Sequence, residues 1–247
     1  MNFRKIAAPY YLFILLLHCI FLGLEWTMAS KFTKPLLMPL LLVYLFSAIK
    51  STLNQQTLTL TPKTDPDGNP LSTRPINTSI LILAFTASWA GDLFLMFEGQ
   101  GLFIAGMVSF MIAHVSYCYL FNQIQPFRKK NALYPILLGA FVFHLGTDVM
   151  NIILHNLGDL MVPVYLYMFV ITTMAVFAFM TMAVKDTEYW GKYFFAPGAA
   201  FFVISDMLLA MNIFAFKEYF IGIWVMATYG LAQYLIAKGF YSYILRK

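Results

Sequence analysis

The stretch INTSILILAFTASWAGDLFLMF, residues 76–97, decides the fold. It is a single apolar run whose only charge, Asp92, lies near its end. An α-helix rises about 1.5 Å per residue, so a run of roughly 20 apolar residues crosses the hydrocarbon core of a bilayer. Runs of the same kind recur at about 6–26, 34–50, 101–121, 133–154, 162–184, 193–215 and 219–243. The spacing predicts an all-α fold, a polytopic transmembrane bundle of eight helices. A carboxylate at that depth is costly, and such groups are kept where they face a bundle interior or a wet cavity.

Composition agrees with this reading. The 247 residues are 61% hydrophobic and 11% charged, with a mean hydropathy of +0.74. A soluble domain carries about 25% charged residues. The chain reads as one transmembrane domain over 1–247, an integral multi-pass protein of the inner or plasma membrane in a bacterium. Its one long polar segment, STLNQQTLTLTPKTDPDGNPLSTRP at 51–75, is rich in Pro, Thr and Asp-Gly and reads as a polar cytoplasmic loop. The remaining connections are short, which makes consecutive helices antiparallel neighbours. Lys34-Pro35 opens the second span, with the proline in the first helical turn.

The net charge of +5 is a topology signal, and no nucleic-acid partner is expected. Most Lys and Arg fall on the side of the N-terminus, the 51–75 loop and the C-terminus. Lys31, Lys34 and Lys217 fall on the other side, and Lys238 lies inside the last span. This asymmetry places both termini in the cytoplasm. The N-terminal segment also has the charge pattern of a signal peptide. Its apolar part is long for one and TMAS is a poor cleavage site, so it reads as the first helix. Cys19 and Cys118 lack metal or redox spacing and read as packing residues.

Helices 76–97, 133–154 and 193–215 run outward under this topology. Asp92, Asp148 and Asp206 then lie in the outer half, with Glu25 and Lys34 at the same level. His114, His144 and Gln233 are nearer the middle, and Tyr229 is one turn from Gln233. One pocket opening outward is the simplest arrangement. His144, Asp148, Asn151 and His155 form a stripe at helical spacing, either a second polar site or groups that neutralise one another in the bundle. GDLFLM and SDMLLAM, in spans of the same direction, have the pattern of a short internal repeat. Asp92 and Asp206 stand out, because each follows a small residue and has no cation within a turn. Two buried carboxylates suit general acid and base work. A metal site drawing on His114, His144 and the three Asp is the alternative, but no HxxxH or HExxH spacing supports it.

Six segments resemble the lysoplasmalogenase (YhhN-like) family of multi-span membrane proteins. They are TKPLLMPLL (33–41), SWAGDLFLM (88–96), FIAGMVSFMIAHVSYCYLF (103–121), PVYLYMFVITTM (163–174), PGAAFFVISDMLLAMNIF (197–214) and ATYGLAQYLIAKG (227–239). The resemblance implies hydrolysis of the vinyl ether bond of a lysoplasmalogen, a lysophospholipid, to a fatty aldehyde and a glycerophospho-head-group product, without a cofactor or metal. It carries over Lys34, Pro35, Gly91, Asp92, His114, Tyr117, Tyr167, Ser205, Asp206, Tyr229 and Gln233. Asp92 and Asp206 are then the catalytic pair, and Lys34, His114, Tyr117, Tyr167, Ser205, Tyr229 and Gln233 bind or orient. His144 and Asp148 lie outside the pattern. The competing class is a small transporter or lipid-binding protein, although no span is broken near its middle. An intramembrane aspartyl protease would show GxGD where this chain has Trp-Ala-Gly-Asp.

Overall fold

A computed structural model describes residues 3–56 and 76–245; the rest of the expected 51–75 loop, 57–75, lies outside them. Every regular element among the described residues is helical. The helices are α1 (Phe3–Gly23), α2 (Thr27–Gln56), α3 (Thr78–Phe94), α4 (Gln100–Ile124), α5 (Leu133–Leu157), α6 (Met161–Met180), the short α7 (Lys185–Trp190), α8 (Ala196–Met211) and α9 (Tyr219–Leu245). Helices satisfy their backbone groups internally, which is what an apolar solvent demands. Among the described residues five segments are long and apolar enough to cross a membrane: Thr27–Ser51, Gln100–Ile124, Leu133–Met180, Lys185–Phe216 and Tyr219–Leu245. Ala7–Gly23 and Thr78–Phe94 are shorter apolar helices.

Neighbours in sequence pack as hairpins, most extensively α1 with α2, α3 with α4 and α8 with α9. Helix α9 also packs on α1 and α2. It runs antiparallel to α1: Tyr11 stacks on Tyr234 at one level, and Gly23 approaches Ile223 at another. The start of α1 and the end of α9 therefore lie at the same end of the bundle. Tyr11 Oη donates to Gly230 O at 2.9 Å. Gly230 is required there, since a Cβ would collide with Leu15.

The second helix departs from the expected span. It begins at Thr27 and continues through residues 51–56, so Pro35 and Pro39 lie in its interior instead of in the first turn. Pro39 has no N–H, which leaves the carbonyl of Pro35 without its helical donor. Trp89 of α3 supplies one: its indole Nε1–H donates to Pro35 O at 3.0 Å. A proline defect in one helix thus fixes the register of the next, three residues before Asp92. We expect Trp89→Phe to leave that carbonyl unpaired and cost about 1–3 kcal/mol, read as a lower unfolding temperature in detergent. An unchanged temperature would mean that water or lipid replaces the indole.

Helix α3 starts cleanly because Asn77 caps it, its Oδ1 accepting from the N–H groups of Ser79 and Ile80. Helix α8 is bounded by two π-helical segments, Gly191–Phe195 and Asn212–Phe216. The second ends in left-handed Lys217 (φ 56°) and is tied off by Asn212, whose Oδ1 accepts from Glu218 N at 2.8 Å.

Candidate active site

A cavity of about 710 Å³ opens between the helices, lined by Lys34 of α2, Asp92 of α3, Ser205 and Asp206 of α8 and Tyr229 of α9. Its size is that of a small-molecule site. Both candidate carboxylates therefore face one space.

Each carboxylate receives a tyrosine hydroxyl. Tyr229 Oη donates to Asp92 Oδ2 at 2.7 Å, and Tyr167 Oη donates to Asp206 Oδ2 at 2.6 Å. Each tyrosine is backed in turn. Behind Tyr229, Gln233 Nε2 reaches its hydroxyl at 3.4 Å, and Tyr117 Oη donates to Gln233 Oε1 at 2.9 Å. Tyr117 and Gln233 are fully buried, so they orient Tyr229 without lining the cavity. Behind Tyr167, His114 Nε2 lies 3.1 Å from the hydroxyl and 3.7 Å from Asp206 Oδ2. Because the tyrosine proton goes to Asp206, the hydroxyl accepts from His114, which assigns the Nε2–H tautomer. His114 Nδ1 is buried with no partner among the described residues.

The two carboxylates differ in surroundings. Asp92 is 3% exposed and has Lys34 Nζ at 3.9 Å from Oδ1, so one oxygen faces an ammonium and the other a hydroxyl donor. Asp206 is more accessible, with a side chain 15% exposed, and no lysine or arginine pairs with it among the described residues. Among those residues nothing hydrogen-bonds to its Oδ1.

Gly91 makes the close approach possible. A Cβ there would lie 2.6 Å from the ring of Phe110 in α4. Phe110 lines the cavity and packs edge-on against Phe202 and Tyr229. Ser205 also lines it, but its hydroxyl donates to Val225 O at 3.0 Å and joins α8 to α9. Among the described residues no three His, Cys, Asp or Glu gather as metal ligands would. The stripe of His144, Asp148, Asn151 and His155 lies on the exposed face of α5 and contributes nothing to the cavity lining.

Sequence reasoning overlooked Glu98, Asn156 and Asp159, which line the mouth of the cavity near helix ends. Their only signal was the positive-φ glycine beside two of them, Gly99 (φ 134°) and Gly158 (φ 51°), where the chain turns sharply.

The sequence profile of the YhhN family matches residues 29–240, and so takes in every residue of this site. The chain belongs to the YhhN family. Among characterised relatives, lysoplasmalogenase TMEM86A of Homo sapiens is 29% identical over 181 residues, covering 68% of this chain and 67% of that protein. Lysoplasmalogenase TMEM86A of Bos taurus is 29% identical over 182 residues with the same coverage. No solved structure matches. For this YhhN protein, the aligned family region begins in α2, just before Lys34, and ends in α9, just past Gln233.

Proposed function

We propose that this protein is a membrane lysoplasmalogenase that hydrolyses the vinyl ether of a lysophospholipid by general acid and base catalysis from Asp206 and Asp92. The observation that carries the reading is the shared cavity, in which each carboxylate is held by its own tyrosine. The names of the human and bovine relatives support the substrate class. The chain crosses the membrane eight times as one domain, with both termini in the cytoplasm. The apolar stretches Ala7–Gly23 of α1 and Thr78–Phe94 of α3 are shorter than the other spans but pack along α2 and α4.

The surroundings support a division of roles. Asp92, between Lys34 and Tyr229, is the carboxylate; Asp206, with a free Oδ1 and no ammonium partner, carries the proton. Asp206 gives its proton to the β-carbon of the vinyl ether, and the α-carbon and oxygen become an oxocarbenium ion. Asp92 stabilises that cation and takes a proton from the water that adds to the α-carbon. The hemiacetal then collapses: Asp92 returns its proton to the glyceryl oxygen, and Asp206 takes the hydroxyl proton. The C–O bond breaks, aldehyde and glycerophospho alcohol leave, and both side chains regain their starting states. Paired carboxylates act on an oxocarbenium ion in the same way in glycoside hydrolysis.

Purified protein in detergent is expected to release fatty aldehyde from lysoplasmenylethanolamine. In D2O the aldehyde, trapped at once by reduction, should carry one deuterium on the carbon next to the carbonyl. Aldehyde without that label would rule out protonation at carbon. No turnover of any vinyl ether lipid, with solute uptake by vesicles containing the protein, would make it a transporter.

A further inference from the structure

A second cavity of about 240 Å³ adjoins the catalytic one and shares Lys34, Leu209, Val225 and Met226 with it. Its polar lining is His18 of α1, Ser30, Lys31 and Lys34 of α2, and Asn212 at the end of α8. The two spaces have opposite electrostatics. Asp92, Glu98, Asp159 and Asp206 line the catalytic cavity around a single lysine. Two lysines and no acidic residue line the annex.

We infer that the annex is the head-group subsite and binds the phosphate of the lysophospholipid. An anionic phosphodiester is repelled by the carboxylates of Asp92, Glu98 and Asp159 and attracted by the two ammonium groups, which act as point charges. The other lining groups suit the same ligand. Asn212 uses its Oδ1 on Glu218 N, which leaves the Nδ2 hydrogens as its free part. His18 is 2% exposed and its Nδ1 is engaged with Thr33 Oγ1 at 2.8 Å. The Thr33 hydroxyl lies within bonding distance of the carbonyls of Ala29 and Ser30, so the ring is the donor in that pair. With Nδ1 the donor, Nε2 is an acceptor; it has no partner among the described residues, and the ammonium of the head group or a bound water donates to it.

The placement also orients the substrate. Lys34 stands on the wall between the two spaces, 3.9 Å from Asp92 on one side and lining the annex on the other. The three glycerol carbons joining phosphate to vinyl ether pass this wall, so a phosphate held by Lys31 and Lys34 delivers the double bond to the Asp pair. Lys31, exposed at the annex mouth, is then a specificity residue that touches phosphate and takes no part in the chemistry.

The inference rests on the lysoplasmalogenase reading for its substrate, and the experiment separates the two. The measured quantity is the ratio of kcat/KM for lysoplasmenylethanolamine to that for the neutral 1-alkenylglycerol. Lys31→Gln and Asn212→Leu should each lower this ratio, Lys31→Gln by about tenfold, the worth of one charge-assisted contact. Lys217→Gln, a charge removed at the same end outside the annex, should leave it unchanged. An unchanged ratio in Lys31→Gln, or an equal fall in Lys217→Gln, would overturn the subsite. If the wild type cleaves neither lipid, the hydrolase reading fails and the annex is read by binding. Lysophosphatidylethanolamine should then raise the unfolding temperature more than monoacylglycerol does, and Lys31→Gln should abolish the difference. Equal shifts in the wild type would refute the annex.

Discussion

Asp206→Asn lowers kcat for lysoplasmenylethanolamine by about 10²–10⁴-fold, the usual contribution of a positioned general acid. The amide has nearly the same shape, and its oxygen still accepts from Tyr167, so the helix contacts around α8 survive. What it lacks is a proton that can be given to carbon. Asp92→Asn falls as far, because an amide neither steadies the oxocarbenium ion with full charge nor takes the proton from water. The double variant should be little worse than either single one, since groups that act as a unit lose their effect together. Aldehyde release measures the rate, and unchanged gel-filtration behaviour and unfolding temperature establish that the variants fold. Full activity in either variant removes that residue from the chemistry.

The legible part of this site was the part written as an exception. Asp92 and Asp206 are charges in apolar helices, and cost alone marks them out. Tyr229 and Gln233 were legible as a pair one turn apart on α9, and they do meet, at 3.4 Å. Tyr167 was different. Nothing in its own segment separates it from the other tyrosines of an apolar chain, and only the family resemblance picked it out. Its role depends on how α6 and α8 face each other, which sequence spacing within one helix does not encode. The stripe of His144 and Asp148 shows the reverse. Its periodicity is real, but it runs along the exposed face of α5. The start of α2 was misplaced because Pro35 was taken as a helix opener, whereas Trp89 from another helix satisfies the carbonyl that Pro39 frees. His18 likewise meets Thr33 across the α1–α2 hairpin, a pairing that spacing within α1 does not encode.

Lys34→Gln should produce the second large loss, and its form tests why Asp92 is charged. Lys34 Nζ is the only lysine or arginine nitrogen within ion-pair distance of this carboxylate among the described residues. Removing one partner of a buried ion pair costs about 3–5 kcal/mol, because the other charge is left uncompensated. Lys34 keeps 17% of its side chain exposed, so water softens the penalty. The carboxylate then either stays ionised in a hostile site or takes up a proton, and in the second case it no longer accepts one from water. Either way kcat falls, by about 10²-fold for roughly 2.7 kcal/mol lost in the transition state. The fall should appear with both lysoplasmenylethanolamine and neutral 1-alkenylglycerol, since it arises at Asp92 and not at phosphate. A rise in KM should be added for the phospholipid alone. Lys34→Arg, which keeps the charge, should recover part of the rate. A variant with normal kcat and only a raised KM for the phospholipid would leave Lys34 as a phosphate ligand and nothing more. Asp92 would then owe its ionisation to the Tyr229 hydroxyl and the wet cavity, and not to the ammonium beside it.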